Sequence, residues 1–225
     1  MVRGFVFDFD GTLVSLKIDV PAMKSAMIQE LASQGFDTKV LDSSMPTQTI
    51  IDSAKAQTET GVVRKDFREV RSRLYAVLDA LEVGWNVESS PIEGVTDVLR
   101  RLRDSHLGLA IVTNSGRASA HQLLNRYMLS GLFDCILTRD DVTVMKPNPE
   151  GIVKAMDLLG LTNKADAIYV GDSAVDIRAA RAAGIRIAAV TTGYHTAERL
   201  RAEGADYVIG SLSELERIVL LDTLK

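Results

Sequence analysis

The chain holds a single cysteine and only three histidines among its 225 residues. Cys135 alone makes no intrachain disulfide and supports no cysteine-rich zinc site, so a reducing, cytoplasmic setting is the expectation. In a short β-rich run it reads as a small buried hydrophobe. His106, His121 and His195 are scattered without the spacing of metal ligands. Basic charge is not in excess: 26 Lys and Arg stand against 30 Asp and Glu, a net charge of −4. That balance offers no electrostatic footprint for nucleic acid and no anchor on an anionic membrane, so neither is expected as a partner. Long apolar runs are missing as well. No uncharged stretch reaches the ~18 residues a membrane-spanning helix needs. The apolar N-terminus is interrupted by Asp8 and Asp10, which argues against a signal peptide.

What is present is an ordinary globular mixture, 46% hydrophobic and 25% charged. Short β-rich runs recur at 4–9, 107–113, 134–137, 167–170, 186–190 and 207–209. Several are continuously apolar, as parallel strands covered on both faces are. Helical patterns lie between them at 95–104, 118–129, 149–159, 174–183, 196–202 and 211–221. Gly184 reads as a helix stop, and Ser211 with Glu214 as a capping box. This alternation predicts an α/β fold: a doubly wound, Rossmann-like parallel sheet.

One stretch breaks the rhythm. From 15 to 90 no strand is expected, and three helices are predicted at 21–33, 47–57 and 65–82. In the last, Phe67, Val70, Leu74, Leu78 and Leu81 form an apolar stripe at helical spacing. Gly61 and Gly84 read as loop breakers. The expected organisation is therefore a core of 1–14 and 91–225 with a small α-helical domain, 15–90, inserted after the first strand. Its crossings, the natural hinge, fall near 13–18 and 88–94.

Four short motifs sit at or just after predicted strand ends, where open α/β sheets bind ligands. The first is Asp8-Phe-Asp10-Gly11-Thr12. Two carboxylates beside a buried sheet require a cation or hydrogen-bond donors. The second is Thr113-Asn114-Ser115, which suits a helix N-cap and also an anion site. The third is Lys146-Pro-Asn-Pro-Glu150, a lysine beside a proline-stiffened backbone. The fourth is Gly171-Asp172-Ser-Ala-Val-Asp176. Its two acids suit a helix N-terminus, and equally a hard-cation site of oxygen ligands. Brought to one crevice, four carboxylates would repel one another. Mg²⁺ resolves that conflict, since it is bound by carboxylates together with substrate phosphate and water.

DFDGT, TNS, KPNPE and GDSAVD resemble motifs one to four of the haloacid dehalogenase-like hydrolase superfamily, in the family's order. GDSAVDIRAARAAG, and VTTG with ADYVIGSLSEL, resemble its phosphoglycolate phosphatase branch, and the helical insert resembles that branch's C1-type cap. The resemblance implies a Mg²⁺-dependent phosphatase that hydrolyses a small phosphomonoester through a phosphoaspartyl intermediate. It makes Asp8 the nucleophile and Asp10 the general acid and base. Thr113 and Lys146 become the other catalytic groups. Gly11, Thr12, Thr113, Asn114, Ser115 and Lys146 are assigned to substrate. The Asp8 side chain, the Asp10 carbonyl, Asp172 and Asp176 are assigned to the metal. The partner it implies is a small-molecule phosphoester, and the expected assembly is a monomer or a homodimer.

The family often continues motif one with an acid at position 15, where this chain has Ser15. That departure lies in the hinge and bears on substrate choice. Arg64, Lys65, Arg68 and Arg71 make a basic stripe in the insert. Interleaved with Asp66 and Glu69, it reads as a solvated face before an anion reader. A β-phosphoglucomutase or a pyrophosphatase remains an alternative. A 2-haloacid dehalogenase is disfavoured because halide leaves without the proton Asp10 would give.

Overall fold

The runs of apolar residues become β1 (Gly4–Phe7), β2 (Gly108–Val112), β3 (Cys135–Leu137), β4 (Ala167–Gly171), β5 (Arg186–Val190) and β6 (Tyr207–Ile209). The computed structural model describes residues 1–15, 19–193 and 195–223. Among the described residues these six strands form one parallel sheet, in the order β3-β2-β1-β4-β5-β6. β1 lies central, pairing Phe5 with Leu109 on one side and with Ile168 on the other. The chain builds outward from β1 to β3, then returns to β4 on β1's other edge. That reversal makes the carboxyl ends of β1 and β4 a topological switch point, the place where α/β sheets open a crevice.

The sheet is covered on both faces. Phe5, Phe7, Leu109 and Ile111 pack with residues of α4 (Val95–Asp104), α5 (Arg117–Arg126) and α9 (Leu215–Thr223). Val6, Ala110, Val112 and Tyr169 face the other way, against α6 (Glu150–Leu158), α7 (Ala174–Ala183) and α8 (Ala197–Glu203). The period-two alternation explains the split. Burial on both sides explains why the strands read as solid apolar runs.

Local chemistry sets the helix ends. Ser173 caps α7 in a reciprocal box with Asp176, and Gly184 ends it at φ 78°. Ser211 and Glu214 form their box on a short 3₁₀ turn that runs into α9. The helix expected over 118–129 stops earlier, with Tyr127 as its C-cap. Met128 then turns left-handed at φ 55°.

Chain contacts divide the molecule into two compact units, Met1–Leu16 with Ser89–Lys225, and Lys17–Glu88. On the sheet-bearing side the two crossing segments pair. Val14 bridges Pro91 antiparallel, and Ser15 N–H donates to the Ser90 carbonyl at 2.7 Å. Ser90 N–H donates to Ser15 Oγ at 2.8 Å, so the serine at the departing position fastens one crossing to the other. The 16–18 part of the expected hinge lies outside the described residues.

The second unit contains α1 (Val20–Ser33), α2 (Thr47–Glu59) and α3 (Phe67–Trp85). Met23, Met27 and Leu31, Ile50, Ile51 and Ala54, and Val70, Leu74 and Leu78 are their buried residues. The Gln57 amide pairs reciprocally with the Asp37 backbone at 2.8 and 2.9 Å. Two expectations are corrected here. The buried stripe of α3 continues onto Glu82, not Leu81, because steps of four from Val70 reach 82. Gly84 does not break the chain; it lies within α3's last turn, where one exposed glycine costs only about 1 kcal/mol. No helix among the described residues is long and apolar enough to cross a membrane.

Candidate active site

Asp8 directly follows β1, and its N–H continues the ladder to the Val170 carbonyl at 2.8 Å. After it the chain turns tightly: Leu13 N–H returns to Phe9 O, and Gly11, at φ 80°, donates to Val14 O. This turn holds Asp8 and Asp10 at the mouth of the switch point. Asp8 is buried and Asp10 half-buried.

Lys146 reaches Asp8 from the loop between β3 and α6. Its ammonium is buried and donates to Asp8 Oδ1 at 2.6 Å, Asp176 Oδ1 at 2.7 Å and the Tyr169 hydroxyl at 2.8 Å. Three N–H bonds thus find three acceptors. The loop is fastened at two points. The Asn114 side chain donates to the Lys146 carbonyl and accepts from its N–H, both at 3.0 Å, extending the tip of β2 like one more strand pair. Glu150 accepts from the N–H groups of Thr143 and Val144 at 2.7 and 3.0 Å.

Those bonds have a pH consequence. Burial alone would raise the Glu150 carboxyl, but the hydrogen bonds from Thr143 and Val144 outweigh it and hold it below the usual carboxylate range. A depressed folded value means stability that is present above the unfolded value and lost as pH falls through the folded one. Glu150→Gln is therefore expected to cost about 1 kcal/mol near neutrality, reduced by the site's partial exposure. Urea midpoints measured from neutral to acid pH check this: the gap between wild type and variant should close on acidification.

Asp8, Asp172 and Asp176 each offer an oxygen within 4.8 Å of the others. Burial pushes the Asp8 carboxyl well above its ordinary range. Asp176 and Asp172 repel its charge in the same direction, and Lys146 opposes them. For Lys146 itself, burial works to lower the value. Asp176 and Asp8 overcome that and hold the ammonium above its ordinary value. Three carboxylates against one ammonium leave two negative charges in a buried place. The donor set, all oxygen and short by two positive charges, fits one hard divalent cation.

Asp10 stands apart from that trio. Its carboxylate accepts from the Ser115 hydroxyl. Burial raises it, while the Ser115 bond, Lys146 and Arg139 pull the other way. Thr113 Oγ1 accepts from Ser115 N–H at 3.0 Å, which orients the strand tip and leaves the hydroxyl proton to point elsewhere. Asp176 spends Oδ2 on the Ser173 N–H and hydroxyl, at 3.1 and 2.5 Å, so it serves the helix cap and the crevice together.

The structure thus gathers Asp8, Asp10, Gly11, Thr113, Asn114, Ser115, Lys146, Asp172 and Asp176 at one end of the sheet. Thr12 is placed differently. It is fully buried, and its Oγ1 has no hydrogen-bond partner among the described residues. Two groups escape a reading of the sequence. Tyr169 sits inside the apolar run of β4, yet its hydroxyl accepts from Lys146 and points its proton at Val112 O and Asp176 Oδ1, both at 3.1 Å. Burial first, then Asp176 and Asp8, hold that phenol well above its ordinary value, so it stays neutral. Arg139, fully buried after β3, donates to the Asn114 carbonyl at 3.2 Å. The only sequence signal for either was position: a polar group in or just beyond a strand of the catalytic edge.

On a parallel α/β sheet this constellation makes an acidic, cation-ready crevice around the buried Lys146. The chain matches the haloacid dehalogenase-like hydrolase family over residues 5–190 and belongs to that family. It is an enzyme of the phosphatase type. A plasmid phosphoglycolate phosphatase from Cupriavidus necator is 30% identical over 95% of this chain and 91% of its own length. Pyrophosphatase PpaX from Halalkalibacterium halodurans is 38% identical, over 57% of this chain and 60% of its own. In three dimensions the chain resembles a phosphonoacetaldehyde hydrolase-like protein from Oleispira antarctica, with a TM-score of 0.70. At 17% identity, over 99% of this chain and 93% of that one, the likeness speaks for the fold.

Proposed function

We propose that the enzyme hydrolyses a small phosphomonoester through a phosphoaspartyl intermediate on Asp8, with Mg²⁺ as its cofactor. The observation that carries this reading is the Asp8–Lys146 pair at 2.6 Å beside the Asp172 and Asp176 carboxylates. Asp8 attacks phosphorus, and the ester P–O bond breaks. Asp10 gives its proton to the departing alkoxide, then takes one from the water that releases phosphate and restores Asp8. Asp10 must be protonated for the first step, and its burial favours that state. The Thr113 hydroxyl donates to a phosphoryl oxygen, and the Lys146 ammonium, its N–H groups held by Asp8, Asp176 and Tyr169, acts through its charge on the negative charge that builds beside Asp8. Asn114 acts by holding Lys146, and Ser115 by aiming Asp10. The Asp8 and Asp172 carboxylates and the Asp10 carbonyl, with Asp176 in support, would hold Mg²⁺, which would supply positive charge toward the phosphate.

Phosphoglycolate is the first candidate substrate, from the names of the relatives that align along almost the whole chain. Pyrophosphate is the second, from the more identical but shorter match. Residues 1–14 and 91–225 are assigned the chemistry. A cytoplasmic enzyme fits the lone thiol of Cys135, which burial raises to about 11 and so keeps unreactive. The test is phosphate release from a panel of phosphoesters, sugar phosphates and pyrophosphate, with and without Mg²⁺. Metal-dependent release, fastest from a two- or three-carbon phosphomonoester, is expected. Isomerisation of a hexose 1-phosphate without phosphate release, or full 2-haloacid hydrolysis in EDTA, contradicts the proposal.

A further inference from the structure

Asp172 lies close against two turns that follow different strands. One holds Gly11, where a Cβ would come within 2.5 Å of Asp172 Oδ2. The other, after β5, holds Gly193, where a Cβ would land 1.6 Å from the same oxygen. The two turns are joined, since the Thr192 hydroxyl donates to the Gly11 carbonyl at 2.7 Å. Gly193 does not adopt a left-handed φ, so that conformation is not what calls for a glycine there. What is missing is space. The obstructing atoms are those of the Asp172 side chain, its carboxylate nearest and its Cβ at 2.6 Å, so a methyl group displaces the carboxylate and shifts the chain that carries it.

We propose that Gly193, joined through Thr192 to the Asp8–Asp10 turn, is a positioning residue that fixes the Asp172 carboxylate for the divalent cation. The β5 turn is then a fifth component of a site that four motifs describe only in part. The inference rests on the metal reading above and adds to it a residue that carries no ligand atom. Both glycines close on the same carboxylate oxygen, Oδ2, which occupies the space a side chain at either position would need. A carboxylate confined in this way presents its oxygens in one geometry before the cation arrives, which is how groups behind the ligands tune affinity.

The experiment is direct Mg²⁺ binding by calorimetry, and Mn²⁺ binding by electron paramagnetic resonance, on purified wild type, Gly193→Ala, Thr192→Val, Asp172→Asn and the Asp172→Asn/Gly193→Ala double variant. Gly193→Ala should lower affinity by about tenfold or more, the range seen when groups supporting a metal ligand are altered. Its thermal midpoint in EDTA should fall by a few degrees, the effect of overpacking against Asp172 Cβ. In the Asp172→Asn background the same change should have little further effect, because its route of action is already gone. Thr192→Val adds no bulk and should weaken binding more mildly, which keeps the idea testable if the alanine variant folds poorly. If wild type binds neither ion, the metal reading itself fails. If wild type binds and Gly193→Ala and Thr192→Val bind equally well, or if the losses simply add in the double variant, the metal reading stands and the role of Gly193 is refuted.

Discussion

Asp8→Asn lowers phosphate release by about 10⁴-fold or more, the scale on which enzymes lose turnover when their nucleophile is removed. The amide oxygen can still accept from Lys146 Nζ, which sits 2.6 Å from Asp8 Oδ1 in the wild type. The fold therefore has no reason to fail, but an amide does not attack phosphorus. Stability should move the opposite way from activity. Burial and the neighbouring Asp176 and Asp172 raise the Asp8 carboxyl even after the attraction of Lys146 is included. A carboxylate with a raised folded value stabilises the native state below its unfolded value, and that contribution is lost as pH climbs through the folded value. At neutral pH the ionised side chain is thus held at a cost, which the neutral amide avoids. In EDTA the variant should melt no lower than wild type. Acid-quenched wild type, mixed with substrate, should retain an acid-stable, alkali-labile phosphoryl label that the variant lacks. Appreciable metal-dependent turnover by Asp8→Asn would assign the nucleophile to another residue.

The strands were legible because each is sealed on both faces. Phe5, Val6 and Phe7 are all fully buried, and a run with no polar interruption is the direct imprint of that environment. The site was legible for a related reason. Asp8, Lys146 and Asp172 stand where apolar strands end or in the loop after one, and charge at such places needs an explanation. Tyr169 was not legible, because a tyrosine in a buried strand reads as bulk. Its hydroxyl gains meaning only when Lys146, twenty-three positions earlier, arrives 2.8 Å away. Asn114 was legible as a polar group at the right place, but not in its role. Asn114 and Lys146 lie thirty-two residues apart, and no local pattern announces that a side-chain amide will complete a backbone pair. Glu82 shows the same limit in the helical unit. Its steps of four from Val70 are plain, yet a carboxylate at the end of an apolar stripe invites the choice of the neighbouring leucine.

Lys146→Met should produce the largest loss of stability of any single change considered. The methionine keeps most of the length of the side chain and removes its charge. Asp8 and Asp176 then face each other without the ammonium that now lies 2.6 and 2.7 Å from them. Breaking one side of a buried ion pair typically costs about 3–5 kcal/mol, because the partner's charge is left uncompensated. Here the remaining charges belong to three carboxylates clustered within 4.8 Å. Three consequences separate this account from a simple packing defect. First, phosphate release should fall by about 10²–10³-fold, as when one preorganised donor to a developing oxyanion is removed. Second, adding Asp8→Asn to Lys146→Met should restore part of the lost stability, since it removes one of the repelling charges; a packing defect would be left unchanged or made worse. Third, Mg²⁺ should raise the melting temperature of Lys146→Met by more than that of wild type, because a cation binding only the folded chain stabilises it in proportion to the repulsion it relieves. Thermal and denaturant melts of the four proteins in the double-mutant cycle, each with EDTA and with Mg²⁺, read all of these except turnover. Equal stability of wild type and Lys146→Met in EDTA would mean that the carboxylates do not carry their charges together. The electrostatic case for a divalent cation in this crevice would then fall with it.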